Sequence, residues 1–148
     1  MEYLGERGNV EYIIRNAQLD DLEKIMPLLQ VLYKNDVGSG LIKVIERCLR
    51  DRKYYKAIAF DNDNVIGFFL GSSRLEVDFE SKCGIIEEII VHNEYQGKGL
   101  GKALLDRFEI WAKENGCDDL LVPCGREGFY EKMGFEKYVI KRYWKSLK

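Results

Sequence analysis

A glycine-rich segment in the last third of the chain constrains the fold more than any other feature. Three of the 14 glycines, Gly97, Gly99 and Gly101, alternate with Lys98 and Leu100 in the run QGKGLG. An Ile- and Val-rich stretch precedes this run and an amphipathic stretch follows it, which indicates a strand, a tight loop and a helix. A loop of this kind directs unpaired backbone N–H groups and the positive end of a helix dipole towards an anion.

The spacing of these glycines excludes the two commonest nucleotide-binding fingerprints. A G-x-G-x-x-G motif that starts at Gly97 needs glycine at position 102, where the chain has Lys102. A P-loop needs Gly-Lys followed by Ser or Thr, whereas Gly97-Lys98 is followed by Gly99. A flexible strand-to-helix connection that binds no ligand therefore stays open as the alternative.

Apolar periodicity organises the rest of the chain into one mixed α/β layer structure. It predicts helices that begin near Leu22 and Leu41, and a third helix directly after the glycine run. Strands are predicted at 11–17, 54–60, 65–75, 83–92 and 120–123, with a short helix at 126–133 and one or two closing strands at 135–144. We therefore expect a single domain over residues 1–148, with 1–10 as a frayed start.

Composition narrows the class of protein. The 148 residues are 46% apolar, and 23 basic residues nearly balance 25 acidic ones, which allows a real core and provides no broad surface for polyanions. The longest charge-free stretch, 64–73, has about half of the 20 residues that a membrane helix needs. The first residues form no apolar run, so no signal peptide is predicted. We expect a cytoplasmic protein without nucleic-acid or membrane partners.

Cysteine and histidine are too few and too scattered for a predicted metal site. The four cysteines, Cys48, Cys83, Cys117 and Cys124, show no C-x-x-C spacing, and His92 is the only histidine. Reduced, mostly buried thiols are the favoured interpretation.

Two segments resemble the motifs of one enzyme family. The run Glu87–Gly101, EEIIVHNEYQGKGLG, resembles the acetyl-CoA-binding motif of the GNAT superfamily of N-acetyltransferases, whose loop reads Gln/Arg-x-x-Gly-x-Gly/Ala. Gln96, Gly99 and Gly101 fill its three defining positions. The run Phe129–Phe135, FYEKMGF, resembles the Phe-Tyr-x-x-x-Gly-Phe segment that follows in the same family. The resemblance implies the GNAT fold: a central mixed, mostly antiparallel sheet flanked by helices, with a strand splayed before the pyrophosphate loop.

The same resemblance implies the activity and the cofactor site. It predicts an N-acetyltransferase that transfers the acetyl group of acetyl-CoA to a primary amine by direct attack, without a metal. The residues that it assigns to acetyl-CoA are Ile89, Ile90, Val91, Gln96, Gly97, Lys98, Gly99, Leu100, Gly101, Lys102 and Tyr130.

Two residues match the family's catalytic positions. Glu87 corresponds to the carboxylate that accepts a proton from the amine, and Tyr130 to the phenol that protonates the departing thiolate. Neighbouring strand residues point to opposite faces unless a bulge intervenes, so only one of Glu87 and Glu88 is expected to face a cleft. Glu87 is the predicted base, and Glu88 is the predicted surface acid.

The chain departs from the family pattern in one place. Many members carry an asparagine several residues before the Phe-Tyr pair, whereas this chain has Pro123–Gly128, PCGREG, without one. The alternative function is a non-catalytic acyl-CoA-binding sensor or interaction module of the same fold. The amine acceptor stays open, and so does the oligomeric state, with which a homodimer is compatible.

Overall fold

The structure is a computed structural model that describes residues 3–7, 10–33, 37–123, 128–138 and 141–148. Short 3-10 turns precede the first and third α-helices, at Leu19–Asp21 and Asn93–Tyr95. The strands and α-helices of the described residues are β1 Tyr3–Arg7, β2 Val10–Asn16, α1 Leu22–Leu32, α2 Ser39–Arg50, β3 Tyr55–Asp61, β4 Asn64–Glu76, β5 Ser81–Val91, α3 Leu100–Glu114, β6 Asp119–Leu121 and α4 Phe129–Lys132.

One six-stranded sheet forms the centre of the domain. Its strands lie in the order β1-β2-β3-β4-β5-β6, which is also their order in the chain. Every neighbouring pair is antiparallel except β5 and β6, which are parallel because α3 crosses between them. This arrangement confirms the predicted mixed, mostly antiparallel sheet flanked by helices.

Helices cover both faces of the sheet. On one face, α3 buries Leu104 and Phe108 completely, in a group of side chains that we call the α3 cluster and that includes Phe69 and Ile86. On the other face, α1 and α2 bury the α1–α2 cluster, which includes Ile25, Leu29, Ile45, Phe68, Leu70 and Ile90. Each large apolar side chain that is fully buried contributes about 1.5–3 kcal/mol to stability.

The strands β5 and β6 separate soon after they begin to pair. Their hydrogen-bonded register covers only Cys83–Ile85 of β5, whereas β4 stays paired with β5 as far as Val91. In the described part of the chain, residues 86–91 therefore have no strand partner on the side of β6. The sheet therefore does not use the backbone groups on this edge. The predicted splayed strand is confirmed.

A β-bulge interrupts β5 within the splayed stretch. Leu70 of β4 pairs with Glu88 and Gly71 pairs with Ile86, so Glu87 is an extra residue without a partner in β4. Glu88 lies opposite Leu70, a member of the α1–α2 cluster, and therefore shares that face of the sheet.

The structure differs from the sequence prediction at both ends of the chain. The apolar pattern assigns no element to residues 1–10, whereas β1 lies there and pairs with β2. The closing strands predicted at 135–144 are wrong for the described residues, because 136–138 and 141–148 have no regular secondary structure; 139–140 lie outside the described residues. Aromatic and basic residues alternate near the C-terminus, but Tyr143 and Trp144 are 92% and 89% exposed, so this alternation does not reflect a buried strand face. None of the helices described has the length and apolar character required to span a membrane.

Candidate active site

A cleft of about 710 Å³ opens where β5 separates from β6. Its walls are the end of α1, the second half of β5, the glycine loop, the start of α3, and α4. The predicted site residues that line it are Glu87, Ile89, Ile90, Val91, Gln96, Gly97, Gly99, Gly101, Lys102 and Tyr130.

Two predicted cofactor residues do not line this cleft with their side chains. Leu100 is 2% exposed and packs in the α3 cluster, so only its backbone is placed to reach a ligand. Lys98 extends over the ring of Tyr95, with Nζ 5.6 Å from the ring centre. A larger cleft of about 830 Å³ lies beside β6, but it contains Tyr130 alone among the predicted residues and none of the glycine loop.

The glycine loop has a backbone that only glycine adopts without strain. Gly97 and Gly99 have φ angles of +75° and +84°, in the left-handed region that is unfavourable for residues with a Cβ. The Gln96 side chain closes the loop on itself, because its Nε2 donates to the carbonyl of Val91 at 3.1 Å and to Oδ1 of Asn93 at 3.2 Å. The conformation of the loop is thus set by its own residues.

The loop leads directly into the N-terminus of α3. The first helical hydrogen bond runs from the Ala103 N–H to the Gly99 carbonyl at 3.0 Å, so the amides of Leu100–Lys102 precede the intrahelical ladder. The first turn of α3 contains no acidic residue. Lys102 is placed there and forms an ion pair with Asp106 at 2.6 Å. Backbone dipoles thus give the start of α3 a positive end, of the kind that favours an anion, and this end opens into the cleft.

The two glutamates of β5 occupy different environments. Glu87 is exposed and accepts a hydrogen bond from Ser72 Oγ at 2.7 Å. Glu88 is half-buried and accepts one from the Tyr33 hydroxyl at 3.1 Å. Burial raises the pKa of the Glu88 carboxyl, and the Tyr33 hydrogen bond lowers it in part.

The bulge changes how these glutamates relate to their neighbours. Simple alternation places Glu87 on the same face as Ile89 and Val91, which pack against the α3 cluster. In the structure the extra residue breaks this alternation, and Glu88 shares the opposite face with Ile90. Both glutamates are among the residues that line the cleft, whereas only one of them was expected to face it.

Tyr130 lies across the cleft on α4 and is 8% exposed. Phe129 and Phe135 hold its ring by edge-on contacts, with ring centres 5.0 and 5.4 Å away. The Gly128 N–H donates to Oε2 of Glu131 at 2.6 Å, which stabilises the start of the short helix. The phenol is therefore held in a packed environment next to the glycine loop.

Sequence reasoning missed the part of the cleft wall that comes from α1. Val31 and Leu32 line the cleft, and Tyr33 follows them directly. Leu32 and Tyr33 continue the apolar spacing of α1, which is typical of a buried stripe, yet they are 40% and 38% exposed. Their position in the last turn, next to a break in the pattern, was the available signal.

Two further expectations concern cysteines and the missing asparagine. Cys48, Cys83 and Cys117 are buried free thiols, which confirms the prediction for these three. Cys124 and the rest of 124–127, where a replacement for the asparagine was expected, lie outside the described residues. Among the described residues, no three His, Cys, Asp or Glu side chains gather as a metal site.

The sequence profile of the acetyltransferase (GNAT) family matches residues 22–135. The chain belongs to this family. The match begins at α1 and ends just after α4, so it covers the splayed strand, the glycine loop and Tyr130.

Two GNAT relatives have a named substrate. Glucosamine 6-phosphate N-acetyltransferase 1 of Dictyostelium discoideum is 38% identical over 58 residues, which are 38% of this chain and 37% of the relative. Glucosamine 6-phosphate N-acetyltransferase of Arabidopsis thaliana is 28% identical over 106 residues, which are 62% of this chain and 71% of the relative. The matched regions cover 37% and 71% of the length of these two proteins.

A solved GNAT structure shares the fold over most of the chain. AAC(6')-Iy, solved with the bisubstrate analog CoA-S-monomethyl-acetylneamine, superposes with a TM-score of 0.75 at 21% identity, covering 91% of this chain and 97% of that one.

Proposed function

We propose that this protein is an N-acetyltransferase that transfers the acetyl group of acetyl-CoA to a primary amine. One observation carries the proposal: a single cleft joins the free edge of β5, an anion-binding helix start, two carboxylates and a buried phenol. Membership of the GNAT family and relatives that acetylate an amino sugar phosphate support it.

The chain's residues fit acetyl-CoA without a metal. The backbone amides of Gly97–Lys102 would hold the diphosphate, since the first turn of α3 has no carboxylate to repel it. Ile89, Ile90 and Val91 would offer main-chain groups to the pantetheine arm along the edge of β5 that has no strand partner among the described residues. Gln96 would keep the loop closed through its two hydrogen bonds.

The catalytic groups move two protons. A carboxylate of β5 takes one proton from the acceptor's ammonium group, which leaves a neutral amine to attack the carbonyl carbon of the acetyl group. A C–N bond forms and the C–S bond breaks. Tyr130 gives its proton to the thiolate, and the second amine proton returns to the phenolate. Glu87, which the resemblance selects, and Glu88 are the two carboxylates available for the first step.

Thiol release from acetyl-CoA over a panel of amines tests the proposal. The panel contains glucosamine 6-phosphate, glucosamine, spermidine, an aminoglycoside, an amino acid and a peptide with a free N-terminus. We expect CoA release with at least one of them, and about a 100-fold lower kcat for Tyr130→Phe. Tyr143→Phe, which removes the same hydroxyl at a position 92% exposed, is the control. The absence of CoA release with every amine of the panel would contradict the proposed activity.

Calorimetry separates an enzyme from a binding module. An acyl-CoA sensor of the same fold would bind acetyl-CoA tightly in both wild type and Tyr130→Phe and would release no CoA with any amine. An enzyme would bind acetyl-CoA and turn over. Failure to bind acetyl-CoA at all would exclude both.

Location and partners belong to the same proposal. A cytoplasmic location is supported by the free thiols of the three described cysteines. The near-balance of 23 basic and 25 acidic residues supports the absence of nucleic-acid and membrane partners. A homodimer stays a prediction that sedimentation equilibrium would test.

A further inference from the structure

A tyrosine at the end of α1 reaches across to the catalytic strand. The Tyr33 hydroxyl donates to Oε2 of Glu88 at 3.1 Å, although the two residues are 55 positions apart in the chain. Tyr33 follows Leu32, the last residue of α1 and itself part of the cleft wall. The contact thus links the α1 wall of the cleft to one of the two glutamates that line it.

The two carboxylates are not equivalent. Glu87 is the extra residue of the bulge, is exposed, and is held by Ser72 of β4. Glu88 is half-buried, and it lies opposite the apolar Leu70. A proton acceptor works best when its charged form is only moderately stabilised, as it is in a partly desolvated position. That condition fits Glu88 better than the solvated Glu87.

We infer that Tyr33 is a positioning residue that holds Glu88 as the carboxylate which receives the ammonium proton of the acceptor. The inference rests on the proposed function. In this step one N–H bond of the ammonium breaks and one O–H bond forms at Glu88. Tyr33 keeps its own proton and holds Oε2 of the carboxylate through its hydrogen bond. Glu88 then releases the proton to solvent.

The surroundings of Glu88 favour this role. Burial raises its pKa, so the carboxyl titrates closer to neutral pH than an exposed glutamate does. The pKa of Tyr33 is also raised, first by burial and then by the charge of Glu88, so its hydroxyl stays protonated and able to donate. Among the described residues, the titratable groups around the pair are Glu87 beside it on β5, Tyr130 across the cleft, and Cys48 and Tyr54, which interact electrostatically with Glu87.

Titration of the side-chain carboxyls by NMR, with ¹³C-labelled glutamate and no substrate, tests the Tyr33–Glu88 contact. We expect one carboxyl with a raised pKa, whose signal Glu88→Gln removes. Tyr33→Phe removes the donor that favours the charged form, so the pKa of this carboxyl should rise further. Tyr143→Phe should leave it unchanged. An unchanged Glu88 titration in Tyr33→Phe would overturn the positioning role.

Kinetics test the catalytic half, with glucosamine 6-phosphate and spermidine as the acceptors. Glu88→Gln should lower kcat about 100-fold and more than Glu87→Gln does. Tyr33→Phe should lower kcat about tenfold and leave KM for acetyl-CoA unchanged. Because Glu88 must be ionised to act, a higher pKa moves the fall of kcat on the acid side to higher pH. If the role of Tyr33 is purely structural, Tyr33→Phe would lower the melting temperature but leave the pH at which kcat falls on the acid side unchanged.

Two other results are decisive. The assignment to Glu88 would be overturned if only Glu87→Gln lowered kcat and if Tyr33→Phe left the acid side of the pH profile of kcat unchanged. The proposed function would still stand. Absence of turnover with every amine would overturn the proposed function and the proton transfer with it. The NMR titration would then still decide whether Tyr33 holds Glu88.

Discussion

The ring of Phe108 on α3 occupies the place where a side chain at Gly71 of β4 would lie. A Cβ built on Gly71 would overlap Cε1 of that ring. Gly71 is also the residue at which the register of β4 and β5 shifts, opposite the extra Glu87. The helix that carries the glycine loop therefore packs directly against the bulge that sets the positions of Glu87 and Glu88.

Gly71→Ala should destabilise the protein by about 1–3 kcal/mol, because the added methyl group overpacks a fully buried ring. Urea unfolding measures this loss. Gly40→Ala is the matched control: Gly40 lies in α2 with nothing within 4 Å of its Cβ position, so the exchange should stabilise by up to about 1 kcal/mol. Equal effects of the two substitutions would show that the Phe108 contact is not tight.

Much of this architecture follows from local sequence patterns. Amphipathic spacing predicts α1, α2 and α3, because each helix buries one side against the sheet. The apolar runs before and after the turn at 61–64 predict β3 and β4. The alternating glycines predict a tight loop at the start of α3, which the positive φ angles of Gly97 and Gly99 bear out. These features depend on residues close together in the chain.

Features that depend on distant residues could not be predicted. The bulge at Glu87 involves Gly71 and the ring of Phe108, and the partner of Glu88 is a tyrosine that helical spacing assigned to the core. The C-terminal alternation was misleading for a different reason. Tyr143 and Trp144 give that segment an alternating composition without the burial that alternation normally reflects.

The ion pair between Arg15 and Asp21 should make stability depend on pH. Asp21 is 4% exposed and accepts from both terminal nitrogens of Arg15 at 2.8 Å, and from the Gln18 N–H at 2.8 Å. The Arg15 hydrogen bonds hold the pKa of Asp21 below its usual value, although burial opposes them. Because the pKa of Asp21 is lower in the folded protein than in the unfolded chain, the ion pair adds stability at pH values above the unfolded-state pKa of about 3.9. This stability is lost as the pH falls through the folded-state pKa.

Asp21→Asn should therefore cost about 2–3 kcal/mol at neutral pH and reduce the loss of stability on acidification. Urea unfolding at pH 7 and at successively lower pH values measures both effects. Glu46→Gln is the control, because Glu46 pairs with Arg50 on the surface of α2 at 2.9 Å and such pairs contribute about 0.5 kcal/mol or less. An acid profile of Asp21→Asn parallel to that of wild type would contradict the assignment.

Gly97 and Gly116 allow backbone strain to be separated from cofactor binding. Both have left-handed φ angles, +75° and +79°, and neither Cβ position has an atom within 4 Å. Alanine at either position should cost about 1–2 kcal/mol of stability, because the strain is the same. Only Gly97 lines the cleft, so only Gly97→Ala should weaken acetyl-CoA binding, by about tenfold. Calorimetry with acetyl-CoA and thermal unfolding of both variants check this; equal affinities would contradict the role of the loop.

Gly101 joins the glycine loop to the segment that carries Tyr130. A Cβ on Gly101 would lie 3.2 Å from Cζ of Phe129, the neighbour of Tyr130 in α4. Gly101→Ala should therefore displace the Phe129 ring and with it Tyr130, and lower kcat about tenfold. In the double variant, Phe129→Leu should restore part of the lost kcat, because the smaller side chain leaves room for the added methyl group. Gly84→Ala creates a contact at least as tight, 2.9 Å from Cδ2 of Leu120, at a residue that does not line this cleft, so it should lower stability and leave kcat unchanged. If the effects of Gly101→Ala and Phe129→Leu on kcat simply add, α4 does not transmit the contact to Tyr130, because a shared contact must produce coupling between the two substitutions.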